Sequence, residues 1–222
     1  MEVFYNRSDI EICLTSAFKN RYKRKDAALT GILLARPEDK LAKELVLPNL
    51  EFWHYRSDYY TDFFCAGYVP TELVSSAKPV GVTIDSSEWG FSLPAFVEIV
   101  GALECEAGWK YEGDPCLLLL SSYYDGNVAR LDFRRCLHLN LREALEDKAI
   151  STPTQIVEVI FQLAKEINEG TEDPVWELSD KLGHKVIKAG IKDVLLSLLP
   201  GCLASSTKKV LHFVVHQHAG DT

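Results

Sequence analysis

Several features are missing from this chain, and each absence excludes something. There is no CxxC pair. The six cysteines, Cys13, Cys65, Cys105, Cys116, Cys136 and Cys202, are scattered, and the closest two, Cys105 and Cys116, lie far apart. Neither a dithiol redox motif nor a paired zinc knuckle is present. No apolar run approaches the roughly twenty residues that a membrane-spanning helix needs. Excess positive charge is also lacking: the formal net charge is −8 over 222 residues. Nonspecific nucleic-acid binding is therefore not expected, because phosphate contacts need clustered Lys and Arg. The patterns GxSxG, GxxxxGK, HExxH and GxGxxG are absent, so no catalytic motif, cofactor or metal is expected from local sequence. The opening residues MEVFYNRSDI contain no apolar core run. They do not read as a secretion signal, so a cytoplasmic location with reduced thiols is expected.

What is present reads as an ordinary folded protein. Hydrophobic residues make up 47% and charged residues 25%, which argues against disorder. Residues 9–22 suggest a first helix, ending in the basic run Lys19 to Lys25, a set of cations suited to a helix C-terminus. The apolar run 27–35 (AALTGILLA) reads as a buried strand. Pro37 stands where a helix would begin, with Leu41, Leu45 and Val46 along its apolar side. Residues 50–56 (LEFWHYR) alternate enough to predict a second strand, which would make a strand–helix–strand unit with a parallel pair. Another strand is expected over 61–69. Residues 71–90 mix Ser, Pro and Gly around a short apolar piece, 80–84. A helix is predicted over 91–107, with Ser92 as N-cap and Phe96, Val97, Val100 and Leu103 as its apolar face.

The stretch 113–133, GDPCLLLLSSYYDGNVARLDF, then gives a proline-led buried strand, an Asp125-Gly126 turn and a return strand. A short helix is predicted over 139–149. This order of elements, with Pro115 before Cys116-Leu-Leu-Leu-Leu, resembles the thioredoxin-like superfamily over about residues 26–150. The resemblance implies a mixed-sheet α/β domain. In redox-active members the cysteine motif starts the helix after the first strand. The matching segment here, Ala35-Arg36-Pro37-Glu38-Asp39-Lys40, has no thiol. Disulfide exchange needs a thiolate and usually a resolving thiol, so the resemblance implies a redox-inactive member.

The densest unusual segment runs from Phe52 to Cys65, with seven aromatic residues in fourteen. Interleaved aromatics and Arg suit a partner hot spot or a planar ligand. The polar tips singled out are Arg56, Asp58, Tyr59 and Asp62. The bland alternative is a core corner with Arg56 paired to Asp58 or Asp62. A His54–Asp62–Cys65 triad is disfavoured, because Asp62 and Cys65 on one strand point to opposite faces. His212, His216 and His218 near the C-terminus lack the companions of a metal site.

Beyond residue 150 a helical extension is predicted. Residues 152–168 form one helix with the stripe Ile156, Val159, Ile160, Leu163 and Ile167. Residues 176–199 form a second, with Val186, Ile187, Ile191, Val194, Leu195 and Leu198 on one side. Lys181, Lys185, Lys188 and Lys192 occupy the other side. That helix would dock on the first domain, meet a protein partner or second copy, or, least favoured, lie on a membrane surface. Residues 211–215 close the chain as an edge strand or a helix turn. The expected organisation is a helical lead (1–25), a thioredoxin-like α/β domain (26–150) and a C-terminal helical extension (151–222). The favoured function is a non-catalytic module that binds a protein partner. The alternative is a hydrolase or transferase working through Arg56, Asp58 and Asp62.

Overall fold

The computed structural model describes residues 7–20, 27–57, 61–107, 109–148, 150–167 and 213–217. Helix α1 (Arg7–Asn20) leads into strand β1 (Ala27–Leu34), whose residues are almost all buried. A turn at 36–39 starts a helical run made of a π-helical segment (Ala42–Val46), a 3-10 turn (Leu47–Asn49) and helix α2 (Leu50–Ser57). Strand β2 (Thr61–Cys65) follows, then β3 (Tyr68–Pro70), β4 (Lys78–Ile84) and β5 (Ser87–Phe91). Helix α3 (Leu93–Ala107), strands β6 (Cys116–Tyr124) and β7 (Ala129–Asn140), and helices α4 (Leu141–Glu146) and α5 (Pro153–Ile167) come next. Strand β8 (Phe213–Gln217) is the last described element.

Among the described residues, five strands form a mixed sheet in the order β2-β1-β6-β7-β8, and three form a smaller one in the order β3-β5-β4. Strands β1 and β2 are parallel, while β6 runs antiparallel to both β1 and β7. The β6–β7 hairpin turns at Asp125, whose carboxylate accepts from the backbone N–H groups of Asn127 and Val128, both at 2.8 Å. Gly126 takes φ 91°, a conformation that favours glycine. Further along, the register shifts between Leu120 opposite Cys136 and Ser121 opposite Asp132, so β7 bulges at 133–135. Every described peptide bond is trans, the one before Pro115 included.

Alternation along the strands assigns helices to the two faces. Phe63 lies opposite Gly31 and meets Trp53 of α2 and Phe161 of α5 edge-on. Leu131 lies on the other face, opposite Ser122, where it lines an apolar cleft with Ile10 of α1 and Ile99 and Leu103 of α3. The main sheet is therefore covered on both sides. A Cβ at Gly31 would sit 2.9 Å from the Phe63 ring, so the glycine lets that ring lie across β1.

Two expectations need correction, and one region left without a secondary-structure assignment gains one. Residues 50–56 are helical. Leu50, Trp53 and Ser57 are the buried positions, spaced three and four apart, and they continue the helical run that starts near residue 41. The aromatic content raised strand propensity, but packing of that helical face decided the outcome. The parallel partner of β1 is thus the 61–65 strand. The region 71–90 contains a hairpin, β4–β5, closed by Asp85 and Ser86 at φ 49° and 65°. Positive φ at both central residues matches a type I′ turn. The helix expected over 139–149 starts later, because Leu139 and Asn140 still belong to β7. The expected helix over 176–199 lies outside the described residues. Of the closing alternatives, the strand is found, antiparallel to β7 at the sheet edge.

Candidate functional site

Ligands of open α/β sheets gather at the C-terminal ends of parallel strands, and here that end forms a polar corner. Just past β1, Asp39 caps the helical run: its Oδ1 accepts from the Ala42 N–H at 3.0 Å. Its other oxygen accepts from Arg142 Nη2. Asp114, just before Pro115 and β6, accepts from Arg142 Nε at 2.5 Å and from Asn140 Nδ2 at 3.4 Å. Asn140 ends β7 and caps α4, its Oδ1 accepting from the N–H groups of Arg142 and Glu143. The backbone adds a tie from Leu141 N–H to Pro115 O at 2.9 Å. One guanidinium thus joins three chain segments far apart in sequence. Its hydrogen bond to Asp114, with the charge of Asp39 adding to it, holds Arg142 further toward the charged form against its partial burial.

Two phenols complete the corner. Tyr68 is fully buried and donates to Ala35 O at 2.8 Å. Tyr111 donates to Gly113 O at 3.0 Å and packs between Phe96 and Trp109. Burial raises the pKa of both, so both stay neutral donors and neither is a general base near neutral pH. Cys116 enters β6 here. Burial, then the neighbouring Cys136 and Asp114, pushes its pKa well up. Burial likewise raises Cys65, and it raises Cys136 to about 12. A protonated, enclosed thiol is a poor nucleophile. The corner is closed on itself: both oxygens of Asp39 and both of Asp114 already accept hydrogen bonds.

The aromatic segment singled out in the sequence is laid out differently. Arg56 is on the exposed side of α2 and forms a two-point pair with Glu158 of α5, at 2.9 Å and 3.2 Å. Glu158 thus takes the place expected of Asp58 or Asp62. Asp62 is buried on β2, opposite Thr30. Asp58 and Tyr59 lie outside the described residues. Of the four residues, then, Arg56 and Asp62 are placed, one in solvent and the other inside.

The outer face of α2 stays open. Phe52 is 46% exposed and Tyr55 58%. The Tyr55 hydroxyl donates to Asp85 Oδ1 at 3.1 Å, and His54 Nε2 meets Asp85 Oδ2 at 2.9 Å. The hydrogen bond from Tyr55 to Asp85 raises the Tyr55 pKa. The β4–β5 turn therefore fixes one end of the face, and Glu158 fixes the other. The sequence singles out this segment, but a strand reading of 50–56 does not show that Phe52 and Tyr55 share its outer face with Arg56. Sequence reasoning missed the corner, although Asn140-Leu-Arg-Glu143 is a legible capping pattern.

Among the described residues no group of three His, Cys, Asp or Glu side chains is arranged to hold a metal ion. No described helix is long and apolar enough to cross a membrane. Of His212, His216 and His218, only His216 lies within the described residues, opposite Cys136 in the sheet. Comparison with protein-family models, curated proteins and solved structures gives no significant match in any of the three.

Proposed function

We propose that this chain is a non-catalytic binding module on a redox-inactive thioredoxin-like frame, and that it engages a protein partner through the outer face of α2. Support for the frame comes from the parallel β1–β2 pair, the β6–β7 hairpin beside it and Pro115 ahead of β6. The trans peptide before Pro115 departs from the cis form often found in that superfamily. Support for the absence of thiol chemistry comes from three buried thiols with raised pKa values and from the closed corner where a reactive cysteine would stand. The observation that carries the binding reading is the pair of exposed rings, Phe52 and Tyr55, on a face whose polar tips are held by Asp85 and Glu158. Rigid aromatic groups flanked by an ordered Arg are the usual composition of a hot spot.

The C-terminal helices expected to carry the partner divide in two. Helix α5 commits Ile156, Val157, Ile160, Phe161 and Ala164 to the core, and residues 176–199 lie outside the described residues. A photo-crosslinking side chain placed at Phe52 should capture a discrete partner from the cells that make the protein. Tyr55→Glu in the same chain should abolish that capture, and an insulin-reduction assay should show no turnover. Reductase turnover, or capture that survives Tyr55→Glu, would count against this function.

A further inference from the structure

Helix α3 covers the opposite side of the main sheet from α2, and it too has an outer face. Its inner side buries Ala95, Phe96, Ile99, Val100, Leu103 and Ala107. On its outer side Leu93 and Val97 are 50% and 59% exposed, and the exposed Gly101 and Cys105 continue the series at four-residue intervals. Steps of four advance about 40° around a helix, so these positions form one slowly turning strip. A Cβ at Gly101 would meet nothing within 4 Å, so the space above that turn is open. The charge on this helix is all of one sign: Glu98, Glu104 and Glu106, with no Lys or Arg. The Glu104 carboxylate is held in place, accepting from the Tyr111 N–H at 2.8 Å.

We infer that the outer face of α3 is a docking surface for a cationic amphipathic helix of a partner protein. The strip calls for apolar side chains at three- and four-residue spacing, and the carboxylates of Glu98 and Glu104, which lie beside it, call for Lys or Arg. The same carboxylates decide against anionic occupants. An anionic membrane or a nucleic acid would be repelled. In a second copy, Glu98 and Glu104 would meet the same two carboxylates, and the helix itself carries no Lys or Arg to separate them. This surface is independent of the α2 face, which lies on the other side of the sheet.

The test uses the full chain and a fluorescent synthetic peptide of about five helical turns, with Leu and Val along one side and Lys flanking them. Binding should weaken by about tenfold in Val97→Asp and in Glu98→Lys, and remain within about twofold in Phe52→Glu on the opposite face. It should also weaken between about 20 mM and about 500 mM NaCl. Bound peptide should slow maleimide labelling of Cys105. Glu98→Lys exchanges one exposed charge, so it keeps the test open if Val97→Asp folds poorly. Equal affinity of the wild type and Glu98→Lys would overturn the proposal. So would equal affinity for a peptide with Glu in place of every Lys. A dimer in sedimentation that Val97→Asp dissociates would make the occupant a second copy. Val97-dependent binding to vesicles of phosphatidylcholine and phosphatidylserine would make it a membrane. Either result replaces the proposed partner.

Discussion

The strand-end corner and the outer face of α2 are both dense in polar and aromatic side chains, yet they differ in where their bonding capacity goes. In the corner every carboxylate oxygen of Asp39 and Asp114 points inward to a donor of the same chain. On α2 the polar tips are also satisfied, by Asp85 and Glu158, but the rings of Phe52 and Tyr55 are left facing water. Density of functional groups alone therefore does not mark a site. A cluster that satisfies itself stabilises the fold, whereas apolar area left in solvent is available to another molecule.

Helix α2 allows the sharpest version of the contrast, because adjacent residues fall on opposite sides of it. Trp53 is 0% exposed and packs on Phe63. Trp53→Ala should cost about 3–5 kcal/mol, as large cavities in cores do. Phe52→Glu should change stability by less than about 0.5 kcal/mol. Urea unfolding of the two variants reads both values. Comparable losses would mean that the outer face is part of the core, and the distinction would fail.

The corner should give an intermediate effect. Arg142→Met removes one guanidinium and leaves two carboxylates without their shared donor. A loss of about 1–3 kcal/mol is expected, near the lower end because the Arg142 side chain remains 32% exposed. Capture of the partner through α2 should not change. If Arg142→Met left stability intact and abolished capture, the corner would be the binding site and the two regions would exchange roles.

The thiols test the corner from another direction. Burial raises Cys65, Cys116 and Cys136 above their ordinary values, Cys136 to about 12. The folded state then holds these protons after the unfolded chain has begun to release them. Their contribution to stability is complete below the unfolded thiol value of about 8.5 and declines as pH rises from there toward the folded value. Chemical denaturation between about pH 8 and pH 10.5 should show this decline, and Cys136→Ala should make it shallower. In the native protein at about pH 8, Cys105 should react readily with a thiol reagent, since it is the exposed one among the described cysteines. Rapid native labelling of Cys116 would reopen the question of thiol chemistry in the corner.

Local signals explain how much could be read in advance. The largely apolar run of β1 and the Asp125-Gly126 turn between β6 and β7 are short-range patterns, and both appear as predicted. The Ser92 cap of α3 is found as well, with Ala95 N–H donating to its hydroxyl at 3.4 Å. Residues 50–56 suggest a strand because their aromatics favour strands, while the preceding helical run and the burial of Trp53 settle the matter over a longer range. The corner was out of reach for a related reason. Asp39, Asp114 and Arg142 are brought together only by the sheet, and no spacing along the chain announces them. Arg56 likewise pairs with a different acid from the nearby Asp58 or Asp62 expected, since Glu158 comes from a helix 102 residues later.

That pairing gives the smallest expected effect. The Arg56–Glu158 bridge has good two-point geometry, and its hydrogen bond holds Arg56 toward its charged form. Yet the Arg56 side chain is 52% exposed, so water screens the attraction, and ordering two long side chains opposes it. Arg56→Ala should leave the melting temperature and the urea midpoint unchanged within error. Partner capture through Phe52 should weaken measurably, because the guanidinium borders the exposed rings. A clear loss of stability in Arg56→Ala would place this residue with the corner, as a group whose bonding is used up inside the molecule.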